Sequence, residues 1–139
     1  MGTTISGSCL CGAVHFELTQ EPVWSHLCHC SRCRKSSGSA FASNLFFKSE
    51  ALRFSCGREL LRSFKPADAE RFTHIFCGRC GSTLPFSNEA RGLVGVPMGT
   101  LDDDPHYPPR AHAWVDSKAP WFAICDQLPR YPRALGDPE

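Results

Sequence analysis

Cysteine clustering constrains the fold of this 139-residue chain more than any other feature of its sequence. Seven of the nine cysteines fall into three short clusters: Cys9-Leu10-Cys11, Cys28-His29-Cys30-Ser31-Arg32-Cys33 and Cys77-Gly78-Arg79-Cys80. Disulfide scaffolds differ from this pattern, because they usually carry an even number of cysteines behind a secretory signal. The odd count, the close spacing and the polar first residues therefore favour reduced thiols that bind a soft metal ion.

The first and third clusters together predict a structural zinc site. Cys77 and Cys80 have the spacing of a zinc knuckle, in which backbone N–H groups of a tight turn point at the two sulfurs. Cys9 and Cys11 are two residues apart, so both side chains lie on one face of an extended segment. Four sulfurs match a closed tetrahedral site, and we expect metal binding there to contribute to the free energy of folding.

The middle cluster supplies a second group of only three sulfurs, from Cys28, Cys30 and Cys33. Three protein ligands and one open position are typical of catalytic zinc. Such a position can hold a water molecule, bind a substrate thiolate or polarise a carbonyl oxygen. The sequence therefore predicts a catalytic ion at this cluster.

Two alternatives to an open three-cysteine site remain compatible with the spacing. In the first, a further side chain fills the fourth position and the site is purely structural. The candidates for that ligand are His26, His74, Cys56 and Cys125. In the second, the downstream pair joins the middle cluster, which leaves Cys9 and Cys11 without a role. If Cys56 and Cys125 do not bind the metal ion, we expect them to be buried as small apolar side chains.

Alternating polar and apolar residues predict a mostly β domain of short antiparallel strands. The predicted strands are residues 14–18, 41–48, 52–56, 60–64, 71–76, 92–96 and 111–115. Gly57 is expected to form a turn, after which residues 60–64 pair back on residues 52–56 as a hairpin. A short helix is predicted over Ser31–Ser37, ending at Gly38, and the proline-rich tail from Pro129 is expected to lack regular structure.

Length and charge indicate a single domain over residues 1–139, with its core over about residues 5–130. A formal net charge of +1 argues against a dedicated binder of nucleic acid or membrane surfaces. Two zinc ions held by seven thiolates would change the net charge to about −2. Because neither a secretory signal nor a long apolar segment is visible, we predict a cytoplasmic protein. The sequence does not determine an oligomeric state.

Four blocks of the sequence resemble the glutathione-dependent formaldehyde-activating enzyme family, also called the CENP-V/GFA domain. The first block is GSCLCGAV at residues 7–14, and the second is CHCSRCRKSSGS at residues 28–39. The third block is FCGRCGS at residues 76–82, and the last is SKAPW at residues 117–121, followed by Leu128-Pro129. The blocks occur in order and extend over most of the chain.

This resemblance implies a compact fold of coiled antiparallel sheets, similar to that of the type B methionine sulfoxide reductases. It also implies two zinc ions per chain. A structural ion would be held by Cys9, Cys11, Cys77 and Cys80, and a catalytic ion by Cys28, Cys30 and Cys33. The founding activity of the family is a carbon–sulfur lyase reaction that joins glutathione and formaldehyde into S-hydroxymethylglutathione.

We therefore predict a zinc-dependent lyase that acts on a thiol–aldehyde adduct, with glutathione and an aldehyde as its small-molecule partners. Glutathione carries two carboxylates, and Arg32, Arg34 and Lys35 beside the middle cluster are predicted to bind them, with Lys118 as a weaker candidate. A non-catalytic zinc protein that binds or carries glutathione or its adducts is the main alternative, because the reaction also proceeds without an enzyme.

Overall fold

The computed structural model describes residues 4–70 and 72–134, which form ten short strands and one short α-helix. The predicted domain limits at residues 1 and 139 lie outside these ranges. The strands are β1 (Ile5–Ser8), β2 (His15–Leu18), β3 (Trp24–Cys28), β4 (Ala42–Lys48), β5 (Leu52–Cys56), β6 (Leu61–Phe64), β7 (His74–Cys77), β8 (Phe86–Asn88), β9 (Leu93–Pro97) and β10 (His112–Ala113). The helix α1 is Ser31–Ser37. The predicted mostly β class is thus confirmed.

Two sheets contribute most of the apolar core. In the three-stranded sheet β1-β2-β5, the alternation along β2 buries Phe16 and Leu18 completely and leaves His15 exposed. In the five-stranded sheet β10-β3-β4-β9-β8, the central strand β4 turns Leu45 and Phe47 into the same core. The other buried members of this cluster are Ile5, Cys9, Val14, Ala51, Cys77, Leu84, Val94 and Val96. Two of the clustered cysteines therefore belong to the hydrophobic core.

The helix α1 has the predicted limits, and both of its ends are explained by local chemistry. Cys30 lies at the N-cap, where its Sγ accepts a hydrogen bond from the N–H of Cys33 at 3.3 Å. Gly38 follows the last residue with φ of +67°, a conformation that favours glycine. The N–H of Gly38 donates to the carbonyl oxygen of Arg34 at 2.8 Å.

Strand pairing differs from the prediction in two places. The predicted hairpin was wrong, because β6 pairs with β7 and not with β5. A 3-10 turn at Arg58–Leu60 separates the two strands, and β5 pairs instead with β2. The strands are also not all antiparallel, since β10 runs parallel to β3. Both differences arise from long-range partners that alternation within one segment cannot reveal.

The predicted burial of Cys56 and Cys125 was wrong, since both thiols are exposed. Cys56 ends β5, which is an edge strand of its sheet and pairs only with β2. Cys125 lies in irregular chain, and the neighbouring Trp121 is itself 71% exposed. Neighbouring residues of both segments do pack, Phe54 against the core and Phe122 against Phe41, so an apolar local sequence did not decide which side chains are buried.

Within the described residues, the chain from Pro129 forms no helix or strand, as predicted, but it is attached to β10 through backbone hydrogen bonds. A 3-10 turn at Val115–Ser117 lies between β10 and this tail. The N–H of His112 donates to Pro129 O at 2.9 Å, and the N–H of Tyr131 donates to His112 O at 2.9 Å. Within the described residues, no helix is long and apolar enough to cross a bilayer.

Gly57 is expected to be the turn glycine least tolerant of substitution. Its φ is +81°, and an added Cβ would lie 2.1 Å from the carbonyl oxygen of Ala13. Gly38 is the matched control, because its φ is +67° but a Cβ there would meet no atom within 4 Å. Gly57→Ala should lower the free energy of unfolding by about 3 kcal/mol, and Gly38→Ala by about 1 kcal/mol. Urea unfolding measures both, and equal losses would contradict the steric argument.

Candidate metal centres

The first candidate centre contains the sulfurs of Cys9, Cys11, Cys77 and Cys80, which all lie within 4.8 Å of one another. The Sγ atoms of Cys9 and Cys11 are 3.6 Å apart, and those of Cys11 and Cys77 are 4.0 Å apart. Sulfurs around a tetrahedral zinc ion, with Zn–S bonds of about 2.3 Å, are separated by about 3.8 Å. The donor set and its dimensions therefore fit a zinc ion.

Backbone and hydroxyl groups lie within hydrogen-bond distance of three of these sulfurs. The N–H of Val14 donates to Cys9 Sγ, and the N–H of Arg79 donates to Cys77 Sγ, each at 3.3 Å. The hydroxyl of Ser82 lies 3.2 Å from Cys80 Sγ and lowers the pKa of that thiol to about 5. Such contacts both orient thiolate ligands and stabilise their charge.

The second candidate centre contains the sulfurs of Cys28, Cys30 and Cys33, again within 4.8 Å of one another. Cys28 is the last residue of β3, Cys30 is the N-cap of α1, and Cys33 lies in its first turn. The junction of a strand and a helix therefore brings the three sulfurs together. Cys28 and Cys33 are buried, whereas Cys30 is partly accessible.

No fourth histidine, cysteine or carboxylate of residues 4–70 and 72–134 joins the three-sulfur group. The candidates for a fourth ligand, His26, His74, Cys56 and Cys125, all lie outside it. The alternative grouping, in which Cys77 and Cys80 join the middle cluster, is also not formed. The structure thus has the grouping of four and three that the sequence predicted.

The three sulfurs of the second group influence one another's ionisation. The pKa of Cys30 is lowered by hydrogen bonds from the neighbouring thiols, and the contribution of Cys28 is the largest. The same contacts raise the pKa of Cys28, chiefly through Cys30, and the pKa of Cys33, chiefly through Cys28. The first thiolate therefore opposes the formation of the next two. A divalent cation removes this conflict, so the donor chemistry fits a metal ion.

A buried chain of hydrogen bonds begins at His29, between two of these cysteines. His29 Nε2 lies 2.8 Å from His112 Nδ1, and His112 Nε2 lies 2.9 Å from the Asp126 carboxylate. Since the carboxylate can only accept, His112 donates from Nε2 and accepts at Nδ1 from the Nε2–H of His29. Both histidine rings are almost fully buried. The hydrogen bond from His112 lowers the pKa of Asp126.

This chain holds the backbone between Cys28 and Cys30 in place, although His29 itself is not in the metal-binding group. The His29 ring also packs against Phe41, with ring centroids 5.4 Å apart. Its Nδ1 is buried without a hydrogen-bond partner, and burial lowers the pKa of the ring to about 4. Sequence reasoning missed the chain, because His29 and His112 are 83 residues apart and no local pattern links them.

The three basic residues predicted to bind glutathione lie on α1. Arg32 Nη2 is 3.1 Å from the carboxylate of Asp68, and Lys35 is exposed. Arg34 is partly buried, and its Nε has no hydrogen-bond partner within the described chain. Their role in binding a substrate stays a prediction.

A cavity of about 200 Å³ lies beside Cys28, on the face of β3 that carries the side chains of Trp24 and His26. None of the three basic residues of α1 lines it. Its other lining residues are Phe46, Asn88, Arg91, Leu93, Ala113, Trp114 and Ala134. Burial lowers the pKa of His26 to about 4, so this ring is neutral at physiological pH. Among the second group, only Cys28 borders the cavity.

Comparison with known proteins gives three findings. The family model of the glutathione-dependent formaldehyde-activating enzyme matches residues 4–117. A Halomonas elongata protein, provisionally named as such an enzyme, is 32% identical over 128 residues, which cover 86% of this chain and 80% of that protein. An uncharacterised lyase of Schizosaccharomyces pombe is 35% identical over 87 residues, or 58% of this chain and 56% of the lyase.

The solved structures also contain a match. A crystal structure of a Rhodobacter sphaeroides protein superposes with a TM-score of 0.52 at 27% identity, covering 71% of this chain and 89% of that chain. The likeness to type B methionine sulfoxide reductases stays a prediction.

Metal analysis should separate the two centres. We expect two zinc ions per chain in the purified protein and about one in each of the variants Cys77→Ser and Cys33→Ser. Cys77→Ser should also lower the unfolding temperature strongly, because Cys77 belongs to the core and its site joins distant parts of the chain. Cys56→Ser is the control, since that exposed thiol lies outside both groups. Elemental analysis and thermal unfolding measure the outcome, and two zinc ions in Cys77→Ser would refute it.

The buried histidine pair gives a second prediction for this region. His112→Phe keeps an aromatic ring but leaves the N–H of His29 without its acceptor. The free energy of unfolding should fall by about 2 kcal/mol, the cost of an unpaired buried donor. His15→Phe, at an exposed position of β2, should change it by less than about 0.5 kcal/mol. Equal stabilities of the two variants in chemical denaturation would show that the chain of hydrogen bonds does not stabilise the fold.

Proposed function

Because this chain belongs to the glutathione-dependent formaldehyde-activating enzyme family, we propose that it is a zinc-dependent carbon–sulfur lyase acting on a thiol–aldehyde adduct. The proposed reaction interconverts glutathione plus formaldehyde and S-hydroxymethylglutathione. In the forward direction a carbon–sulfur bond forms, the carbonyl π bond breaks, and the thiol proton ends on the new hydroxyl oxygen. No electrons are transferred, so the reaction needs no redox cofactor.

The observation that carries this proposal is the three-sulfur group of Cys28, Cys30 and Cys33, to which the described chain adds no fourth ligand. A zinc ion bound there would supply a Lewis acid with one open position, able to keep a substrate thiol ionised or to polarise an aldehyde oxygen. The other group has four sulfurs, and we assign it the structural ion. In this proposal the four-sulfur centre stabilises the fold, and the three-sulfur centre carries out the reaction.

The surrounding residues can position the reactants and exclude water. The cavity beside Cys28 has apolar walls from Trp24, Phe46 and Trp114, which limit the solvation of a bound thiolate. Binding both reactants against one face of β3 would remove much of the entropic cost of their encounter. This contribution matters because the reaction also proceeds slowly without a catalyst.

The family relationship supports glutathione and formaldehyde as the substrates, and the names of two relatives support a lyase or a formaldehyde-activating enzyme. A cytoplasmic location is proposed on the same basis, since reduced glutathione and free thiols require a reducing compartment.

Exchange spectroscopy of glutathione with formaldehyde tests the proposal directly. The wild-type protein should increase the exchange rate between free and adduct forms, and Cys30→Ser should abolish the increase while the fold is retained. Cys125→Ser is the control, because Cys125 is exposed and lies outside both sulfur groups. A wild-type protein that binds glutathione in calorimetry but gives no rate increase would be a carrier, and the lyase proposal would fail.

A further inference from the structure

The cavity beside Cys28 is built largely by one strand face. Trp24, His26 and Cys28 alternate along β3, so their side chains lie on the same side of the sheet, and all three line the cavity. Phe46 of the neighbouring strand β4 closes the wall behind His26, with ring centroids 5.1 Å apart. A molecule that enters this cavity therefore meets an imidazole ring and a cysteine of the three-sulfur group together.

His26 has a fixed hydrogen-bond polarity. The indole Nε1–H of Trp24 donates to His26 Nδ1 at 2.9 Å, and an indole nitrogen can only donate. Nδ1 is therefore the acceptor, and the ring proton lies on Nε2. Within the described residues, this Nε2–H has no hydrogen-bond partner and is not sealed from the cavity. At His26 the cavity thus has an oriented neutral donor that is available to an oxygen atom.

Arg91 supplies a positive charge at the rim of the same cavity. It ends the 3-10 turn Glu89–Arg91, which follows β8, and it is exposed. Among residues 4–70 and 72–134, no carboxylate lies within salt-bridge distance of its guanidinium group. By contrast, Arg32 on α1 is already paired with Asp68. Arg91 is therefore the cationic side chain of this cavity that remains available to an anionic ligand.

The size of the cavity limits what it can enclose. Its volume of about 200 Å³ lies below the range of about 300–1,000 Å³ that surrounds a whole drug-sized ligand. It can enclose the reacting end of a peptide thiol, and the remaining part of such a molecule would extend across the rim past Arg91.

We propose that this cavity binds the reacting end of the thiol–aldehyde adduct, with His26 Nε2–H donating to the adduct oxygen and Arg91 pairing with a carboxylate of the same molecule. The assignment rests on the proposed lyase function and adds a substrate class to it: a thiol that carries a carboxylate within reach of the cavity rim. His26 would stabilise the negative charge that develops on the aldehyde oxygen as the carbon–sulfur bond forms. The oxyanion then takes up a proton from solvent, which replaces the proton that the thiol released on ionising.

Calorimetry with unreactive thioethers tests the His26 contact without relying on turnover. S-(2-hydroxyethyl)glutathione differs from S-ethylglutathione by one hydroxyl group. That hydroxyl should improve binding to the wild-type protein about fivefold, the gain of one net hydrogen bond. The gain should disappear in His26→Phe and persist in His74→Phe. His74 is the matched control, because its ring also packs against a phenylalanine, with the centroids of His74 and Phe76 5.0 Å apart, but does not line the cavity.

The same titrations test Arg91. Arg91→Ala should weaken binding of S-ethylglutathione about fivefold, whereas Lys48→Ala, an exposed cation on β4, should not change it. If Lys35→Ala weakened binding and Arg91→Ala did not, the carboxylate of the ligand would pair with α1, and the assignment to Arg91 would be overturned. Zinc content is measured in every variant, so that loss of the metal is not mistaken for loss of a contact.

The outcomes separate this inference from the lyase proposal. If the wild-type protein shows the expected dependence on His26 and Arg91 but does not increase the exchange rate, the lyase proposal fails and the binding site stands. If the wild-type protein increases the exchange rate, but the hydroxyl group improves affinity equally in the wild-type protein and in His26→Phe, the proposed binding site is wrong and the lyase proposal stands. Failure of the wild-type protein to bind either thioether would also overturn the binding site.

Discussion

The four sulfurs of Cys9, Cys11, Cys77 and Cys80 join the turn after β1 to the end of β7, and the rest of the fold depends on this closure. Without a cation, the negative charge that these four thiolates would share at one point opposes the closure. With a cation, the same charge becomes the attraction that holds the two segments together. Because Cys9 and Cys77 are also core residues, hydrophobic packing and metal binding stabilise the same contact.

The second sulfur group is brought together by a different feature of the fold, the junction of β3 and α1. The strand places Cys28 on one face together with Trp24 and His26. Cys30 caps the helix, and the first turn of α1 brings Cys33 close to the other two sulfurs. His29, which points to the other side of this junction, is held by His112 and Asp126 from the last part of the chain. The face that borders the cavity and the hydrogen bonds that support it therefore lie on opposite sides of a single short segment.

The proposed assignment of stability to one centre and of chemistry to the other follows from the number of sulfur ligands in each. A four-sulfur site has no position for a substrate, so its contribution is to stability. A three-sulfur site next to a cavity leaves a coordination position, and the cavity adds an oriented donor and apolar walls. This arrangement suits a reaction whose chemical demand is small: a thiol must be kept ionised and a developing oxyanion must meet a hydrogen-bond donor.

The sequence by itself determined the β class and the limits of α1, and it favoured the grouping of the cysteines in four and three, because alternation, helix capping and ligand spacing are local properties. Only the tertiary structure decided that β6 pairs with β7, that Cys56 is exposed, and that His112 and Asp126 reach His29. It also placed Arg91, with no local motif to signal it, at the cavity beside Cys28. These facts depend on which distant segments cover one another, and that choice is made by the packing of the whole chain.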